Sequence, residues 1–224
     1  MNDDIKTKID WRDTKAALAI GLVYAILLLL KLRLPGSGVG ASATIVPFIL
    51  TVAYIIARGR QEPGKLDTWG LTSPISGAAI LIMAAFTGVT AALLATTALM
   101  LGGDLNLKPE YAFRMAEYVI GAFPQQYFLC SVGLAPLATL PVLSGPWRLP
   151  FTVGICFGLA HFWTPVHFPG TLIPLQVVTT ALMGFFAAWY FLRFRNILPL
   201  TFFHAICYVL FSQWVERPLR GMPF

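Results

Sequence analysis

The feature that most constrains this chain is a set of long apolar segments. The longest, residues 75–101, contains no Asp, Glu, Lys or Arg. A helix that crosses a bilayer needs about 20 mostly apolar residues, and this segment is long enough. Hydrophobic residues make up 57% of the 224 residues and charged residues only 12%, about half the roughly 25% found in soluble domains. The sequence therefore predicts a multi-span membrane protein.

Seven segments are predicted to span the membrane, and the fold class is an all-α polytopic transmembrane helix bundle. The spans are 16–30, 41–57, 75–101, a fourth from 110 into the 130s, 149–163, 172–192 and 198–215. A cleaved signal peptide is the alternative for the first segment, but Lys31 and Arg33 directly after it favour a retained span. We divide the chain into a cytoplasmic leader (1–15), N-terminal helices 1–3 (16–101), a core of helices 4–7 (110–215) and a C-terminal tail (216–224).

The formal net charge of +6 comes from basic residues placed mainly between the apolar segments. We interpret them as topology signals and as partners of anionic lipid headgroups, and we expect no nucleic-acid partner. With the N-terminus inside, the cytoplasmic segments hold Lys6, Lys8, Arg12, Lys15, Arg58, Arg60, Lys65, Arg148, Arg193 and Arg195. The other side holds Lys31, Arg33, Lys108, Arg114, Arg217 and Arg220. The positive-inside rule therefore predicts a cytoplasmic N-terminus. We expect the protein in the plasma (inner) membrane.

Polar side chains inside the predicted spans mark the candidate site, because unsatisfied polar groups are costly in hydrocarbon and usually face the bundle interior. Gln125 and Gln126 lie in the fourth span, and His161 lies in the fifth. One face of the seventh span carries Thr201, His204, Tyr208 and Ser212 at steps of three and four residues. Each of these groups can alternatively bond a neighbouring helix. Cys130, Cys156 and Cys207 are by default small hydrophobic residues, and His167 is by default interfacial.

The order of these clusters resembles the CPBP family of intramembrane proteases, which includes the CAAX prenyl-endopeptidases and the bacterial Abi proteins. In that family, EExxxR, FxxxH, and HxxxN or a variant of it follow one another on successive helices. The stretches PQQYFLCSVGL, GICFGLAHFW and NILPLTFFHAICYVL resemble the three motifs in that order. The resemblance covers residues 112–215 and implies a membrane-embedded endopeptidase.

The second and third motifs imply two site histidines. Phe157 and His161 match FxxxH in full, and His204 matches the first position of the third motif. Tyr208 stands where asparagine is usual. The resemblance implies that His204 donates to the oxyanion and that His161 positions the water or accepts its proton. Phe157 shares the helical face of His161 and is expected in the wall of the site.

The first motif departs from the family at all three positions. Gln125 and Gln126 occupy the glutamate positions, and Cys130 occupies the arginine position. In the family a glutamate takes a proton from the attacking water, which an amide cannot do, although an amide can orient water or donate to an oxyanion. We expect no metal or other cofactor. The predicted catalytic positions are Gln125, Gln126, His161 and His204, and the predicted binding positions are Cys130, Phe157 and Tyr208.

Four other arrangements of the site stay open. Glu110 precedes Arg114 by four residues and could supply the missing carboxylate, while Glu117 could approach through a kink at Pro124. Cys130 could pair with a histidine as a nucleophile. The same cysteine with His161 and His204 could hold zinc.

Three functions follow from these patterns. The first is a CPBP-type intramembrane endopeptidase acting on a membrane-associated peptide or protein with a glutamine variant of the glutamate site. The alternative is a pseudo-protease that binds such a partner without cutting it. The third, a transporter or lipid-handling protein, lacks support because we find no inverted repeat.

Overall fold

The computed structural model describes residues 10–34, 39–106, 108–138, 140–143, 145–161 and 173–220. Within these ranges the chain is helical and contains no strand, which confirms the all-α class. The helices are α1 Trp11–Arg33, α2 Val39–Gln61, α3 Lys65–Thr68, α4 Gly77–Met100, α5 Glu110–Gln126, α6 Leu134–Ala138, α7 Arg148–Ala160, α8 Ile173–Phe194, α9 Leu198–Leu210 and α10 Arg217–Arg220.

Five of the described helical segments are long and apolar enough to cross a membrane. They are Trp11–Leu30, Ser42–Gln61, Gly77–Met100, Gln176–Phe194 and Leu198–Glu216. The predicted fourth span corresponds to α5 and the helical residues that follow it, which are not among these five, and the predicted fifth span corresponds to α7, which is shorter. At 1.5 Å per residue, the 13 residues of α7 extend about 20 Å, less than the roughly 30 Å of the hydrocarbon core. The predicted end of the fifth span at 163, the start of the sixth at 172, and His167 lie outside the described residues.

Two helices continue into π-helical segments, in which each turn holds more residues than in an α-helix. The chain after α5 forms one from Tyr127 to Gly133, and the chain after α9 forms another from Phe211 to Glu216. Pro124 lies inside α5 and has no backbone N–H to donate to the preceding turn. Because π-helical turns occur frequently at functional sites, the two segments draw attention to α5 and α9.

The loop between α2 and α4, residues 62–76, joins the start of α9 to the π-helical segment that follows α5. The backbone N–H of Ile197 donates to Gly70 O at 3.1 Å, and the Ser131 hydroxyl donates to Trp69 O at 2.7 Å. Gly70 has a φ of +70°, and a Cβ at this position would lie 2.6 Å from Arg195 O. Glycine therefore permits both the left-handed turn and the close backbone approach.

A partly buried group of charged and polar side chains, here named the polar cluster, ties α1 to α2 and α3. It consists of Asp10, Asp13, Tyr54, Arg58, Glu62 and Lys65. The Arg58 side chain is 5% exposed and forms ion pairs with Asp10, Asp13 and Glu62. Lys65 Nζ lies 3.1 Å from Asp10 Oδ2 and 3.0 Å from Asp13 Oδ2. The expectation that Arg58 and Lys65 serve lipid headgroups is therefore wrong, since carboxylates of the leader and of α1 hold them.

Two charged members of this cluster that lie outside the spans, Asp10 and Lys65, have shifted pKa values. Burial acts to raise the pKa of the Asp10 carboxyl, but hydrogen bonds from Lys65 and from the backbone N–H of Arg12 outweigh it, so that pKa is lowered. Burial acts to lower the pKa of the Lys65 ammonium, but hydrogen bonds to Asp13 and Asp10 raise it above its ordinary value. Both shifts favour the charged forms, so the folded chain stabilises the ion pairs.

Helices α7 and α8 pack against each other through glycines. A Cβ added at Gly154 would lie 2.6 Å from Ala181 O, and one added at Gly158 would lie 2.6 Å from Val177 O. A Cβ added at Gly184 of α8 would likewise lie 2.7 Å from Phe157 Cβ. Small residues let membrane helices approach closely. Gly154 and Gly158 therefore allow α7 to pack closely on α8 within the chain. The sequence pattern did not predict this contact.

Replacing Gly158 with Ala is expected to destabilise the protein by about 1–3 kcal/mol, the usual range for overpacking a close-packed interior. The clash is with backbone, which cannot swing aside as a flexible side chain can. The matched control is Gly88→Ala in α4, where an added Cβ meets nothing within 4 Å. Thermal unfolding in detergent measures both variants, and equal midpoints for the two would contradict the close packing of α7 on α8.

Candidate functional site

The structure brings together an amide from α5 and an imidazole from α9. Gln126 Nε2 lies 2.9 Å from His204 Nδ1, across 78 residues of sequence, and Gln126 is 4% exposed. An amide nitrogen can only donate, so His204 Nδ1 accepts and its proton lies on Nε2. This contact, here named the Gln126–His204 pair, therefore leaves His204 with a donor N–H at Nε2.

His161, at the end of α7, has the opposite tautomer. Its Nδ1 lies 2.7 Å from Phe157 O, and because a carbonyl oxygen can only accept, Nδ1 must carry the proton. The lone pair of His161 is then on Nε2. The ring packs on Phe157 with centroids 4.4 Å apart, and His161 and His204 are close enough to interact electrostatically. One imidazole thus offers a proton and the other can accept one.

Cys130 lies beneath the Gln126–His204 pair, one turn further along the chain. Its thiol is 1% exposed and donates weakly to Gln126 Oε1 at 3.8 Å and to Ala187 O at 3.9 Å. Its sulfur thus contacts an amide and a carbonyl, so the geometry does not support a Cys–His nucleophile. Among the described residues no three His, Cys, Asp or Glu side chains are arranged to hold a metal ion, so the zinc alternative has no geometry to support it.

Gln125 faces away from the Gln126–His204 pair, since successive residues of a helix project about 100° apart. Its Nε2 donates to Gly121 O at 3.4 Å. Its side chain lines a cavity of about 400 Å³ between α1, α2, α5 and α9, here named the α5–α9 cavity. The two glutamines are adjacent in sequence, but Gln126 contacts His204 and Gln125 lines the α5–α9 cavity.

Tyr208 also lines the α5–α9 cavity, one turn beyond His204. Its ring stacks on that of Tyr118 with centroids 3.6 Å apart and an interplanar angle of 18°. Sequence analysis did not single out Tyr118 or Tyr24, which lines the same cavity. Their only signal was polarity within otherwise apolar helices, and tyrosine is too common in such helices to be distinctive.

The two alternative carboxylates lie at different places. Glu117 lines the α5–α9 cavity together with Gln125, whereas Glu110 is not part of its lining. Glu117 precedes Gln126 by nine residues, about 13 Å along a helix. It makes no hydrogen bond to either member of the Gln126–His204 pair in the described part of the chain. Their roles as bases stay predictions, but the contacts favour neither.

These observations define a polytopic membrane protein in which an amide of α5 meets an imidazole of α9, with a second imidazole at the end of α7. Residues 110–210 match the family described as Type II CAAX prenyl endopeptidase Rce1-like. The match confirms the predicted resemblance to the CAAX proteases over the segment that carries the three motifs, and it supports the intramembrane protease-like character of that family. No curated protein and no solved structure matches the chain.

Proposed function

We propose that this chain is a CPBP-type intramembrane endopeptidase that acts on a membrane-associated peptide or protein through a glutamine variant of the family's site. The observation that carries the proposal is that Nδ1 of His161 meets a carbonyl oxygen whereas Nδ1 of His204 meets an amide nitrogen, which assigns opposite tautomers to the two histidines. His161 Nε2 has a lone pair, and His204 Nε2 has a proton fixed by the contact between Gln126 and Nδ1. Peptide hydrolysis needs both a proton acceptor and an oxyanion donor.

The reaction proceeds from these two groups. A water molecule attacks the scissile carbonyl carbon while His161 Nε2 takes its proton, and the carbonyl oxygen becomes an oxyanion that accepts from His204 Nε2–H. The protonated His161 then gives its proton to the leaving amide nitrogen as the C–N bond breaks. Gln126 holds His204 in the donor tautomer, and Phe157 holds His161 by its carbonyl and its ring.

A pseudo-protease is the second candidate, and one observation favours it. Both polar atoms of the Gln126 amide are engaged, one with His204 and the other with Cys130, so neither is directed only at a substrate or a water. No Asp or Glu occurs in the sequence between Glu117 and Glu216. The chain would then bind a membrane segment without cutting it.

Replacing His204 with Ala is expected to lower the cleavage rate by about 10²–10³, the usual effect of removing one oxyanion donor. His161→Ala should lower it as well, because it removes the base. The assay reconstitutes the protein in vesicles with a mixture of single-span peptides and detects the products by mass spectrometry. The matched control is Gln176→Ala, a polar residue near the start of α8. If the native chain and all variants bind the peptides but release no product, the pseudo-protease is correct.

A further inference from the structure

The α5–α9 cavity carries two charges of opposite sign that the protein itself does not neutralise. Arg114 and Glu117 both line it, and neither forms a hydrogen bond or ion pair with any residue in the described part of the chain. Every charge of the polar cluster, by contrast, is paired. Because unpaired charges are costly next to hydrocarbon, this cavity is suited to a ligand that brings the opposite charges with it.

The arrangement of the lining indicates a ligand with one anionic and one cationic group. Arg114 and Glu117 are three residues apart on α5, so their Cβ atoms are about 5–6 Å apart on one helix face. Their charges sum to zero. The other polar side chains that line the cavity are Tyr24, Thr44, Tyr118, Gln125, Tyr208, Ser212 and Gln213. Hydroxyl and amide groups of this kind suit the phosphate and ester oxygens of a zwitterion.

The position along the helix indicates that the ligand comes from the lipid. α5 begins at Glu110, so Arg114 and Glu117 lie about 6 Å and 10 Å from its start along the helix axis. The cavity lies against α1, α2 and α9, which are all long and apolar enough to cross a membrane, so lipid headgroups are the zwitterions that it can meet most readily. Both residues are exposed, so a headgroup can reach them.

We propose that the α5–α9 cavity binds the headgroup of a phosphoethanolamine lipid. The Arg114 guanidinium donates to the phosphate oxygens, which its planar fork suits, and the Glu117 carboxylate accepts from the primary ammonium. A volume of about 400 Å³ accommodates one headgroup with its glycerol. The proposal concerns lipid binding and holds whether or not the chain cuts peptides.

The ring geometry favours a primary amine over choline. Quaternary ammonium groups are recognised by aromatic faces arranged around the cation. Tyr118 and Tyr208 instead stack on each other at 3.6 Å, so their remaining faces point in opposite directions and cannot surround one cation. The Glu117 carboxylate, by contrast, needs N–H donors, which phosphocholine lacks.

Lipid retention measures this preference directly. The purified chain is placed in nanodiscs with equal amounts of phosphatidylethanolamine, phosphatidylcholine and phosphatidylglycerol, and the lipids that remain bound after release are counted by native mass spectrometry. We expect phosphatidylethanolamine to be retained at least about tenfold over the others, the effect of one hydrogen bond to a charged group. Equal retention of the three lipids, or a preference for phosphatidylglycerol, would overturn the proposal.

Two variants and one control locate the effect. Glu117→Gln is expected to abolish the preference for phosphatidylethanolamine over phosphatidylcholine, and Arg114→Gln to reduce retention of both. Glu110→Gln, on the same helix but outside the cavity lining, should leave retention unchanged. If the variants retain phosphatidylethanolamine normally but bind the peptide mixture more weakly, the cavity is a peptide site and the lipid proposal fails. Because this readout needs no cleavage, its failure is separate from failure of the proposed endopeptidase.

Discussion

Replacing Gln126 with Glu is expected to raise the rate of peptide cleavage by about 10²–10⁴, the usual contribution of general-base catalysis. The substitution puts a carboxylate where the amide nitrogen now lies 2.9 Å from His204 Nδ1. The carboxylate favours the imidazolium form of His204, with a proton on both ring nitrogens, so Nε2–H stays available to the oxyanion. A carboxylate ionises near the working pH and can take a proton from water, whereas an amide cannot. The measurement is the initial rate of product formation from the peptide mixture in vesicles, with unfolding midpoints to verify the fold.

Gln125→Glu is the matched control for this gain of activity. It introduces the same group at the next residue, but that side chain lines the α5–α9 cavity and its own hydrogen bond is to Gly121 O. We expect little change in the cleavage rate. An equal gain in both variants would mean that the Gln126–His204 pair is not the centre of the reaction, and no cleavage in either would favour the pseudo-protease.

Replacing Arg58 with Ala is expected to lower the free energy of unfolding by about 3–5 kcal/mol, the usual cost of removing one partner from a buried ion pair. Arg58 is 4% exposed and pairs with three carboxylates, and Asp13 is itself 6% exposed. Its loss leaves Lys65 as the remaining cation for the buried carboxylates. Thermal unfolding in detergent or in nanodiscs reports the change.

Arg60→Ala provides the control in the same turn of α2. Arg60 is exposed, and surface substitutions usually change stability by no more than about 0.5 kcal/mol. The double variant Asp13→Asn with Arg58→Met removes both charges and should recover part of the loss, because the cost comes mainly from an uncompensated charge. If the single variant Arg58→Ala unfolds at the same midpoint as Arg60→Ala, the polar cluster contributes nothing to stability.

Much of the fold could be predicted from the sequence because long apolar segments identify membrane helices. All seven predicted segments are helical where the structure describes them. The pairing of Arg58 with Asp13 was not predictable in the same way, since the two residues are 45 positions apart and a local charge pattern does not specify distant partners. The close approach of Gly154 and Gly158 to α8 depends likewise on which helix lies opposite.

The candidate site was predictable in its members more than in its geometry. The order of the motifs indicated Gln126, His161 and His204, and the structure places an amide of the first motif on the histidine of the third. The motif indicated both Gln125 and Gln126 as catalytic positions, and although their side chains must project about 100° apart on a helix, only the structure shows that Gln126 is the one that meets His204. The tautomers, by contrast, depend on which atom each ring nitrogen meets, and the sequence contains no trace of that.

Surface loops usually accept inserted residues, because little of the fold depends on their length. The loop between α2 and α4 is an exception. Trp69 O accepts a hydrogen bond from Ser131, in the π-helical segment after Gln126, and Gly70 O accepts one from Ile197, which precedes the helix of His204. A residue inserted between Trp69 and Gly70 would separate the two carbonyl groups that accept these hydrogen bonds. The carbonyl groups of Trp69 and Gly70 thus help to set the distance between the Gln126 amide and the His204 imidazole. We therefore expect insertions and deletions at these two residues to be rare among functioning relatives.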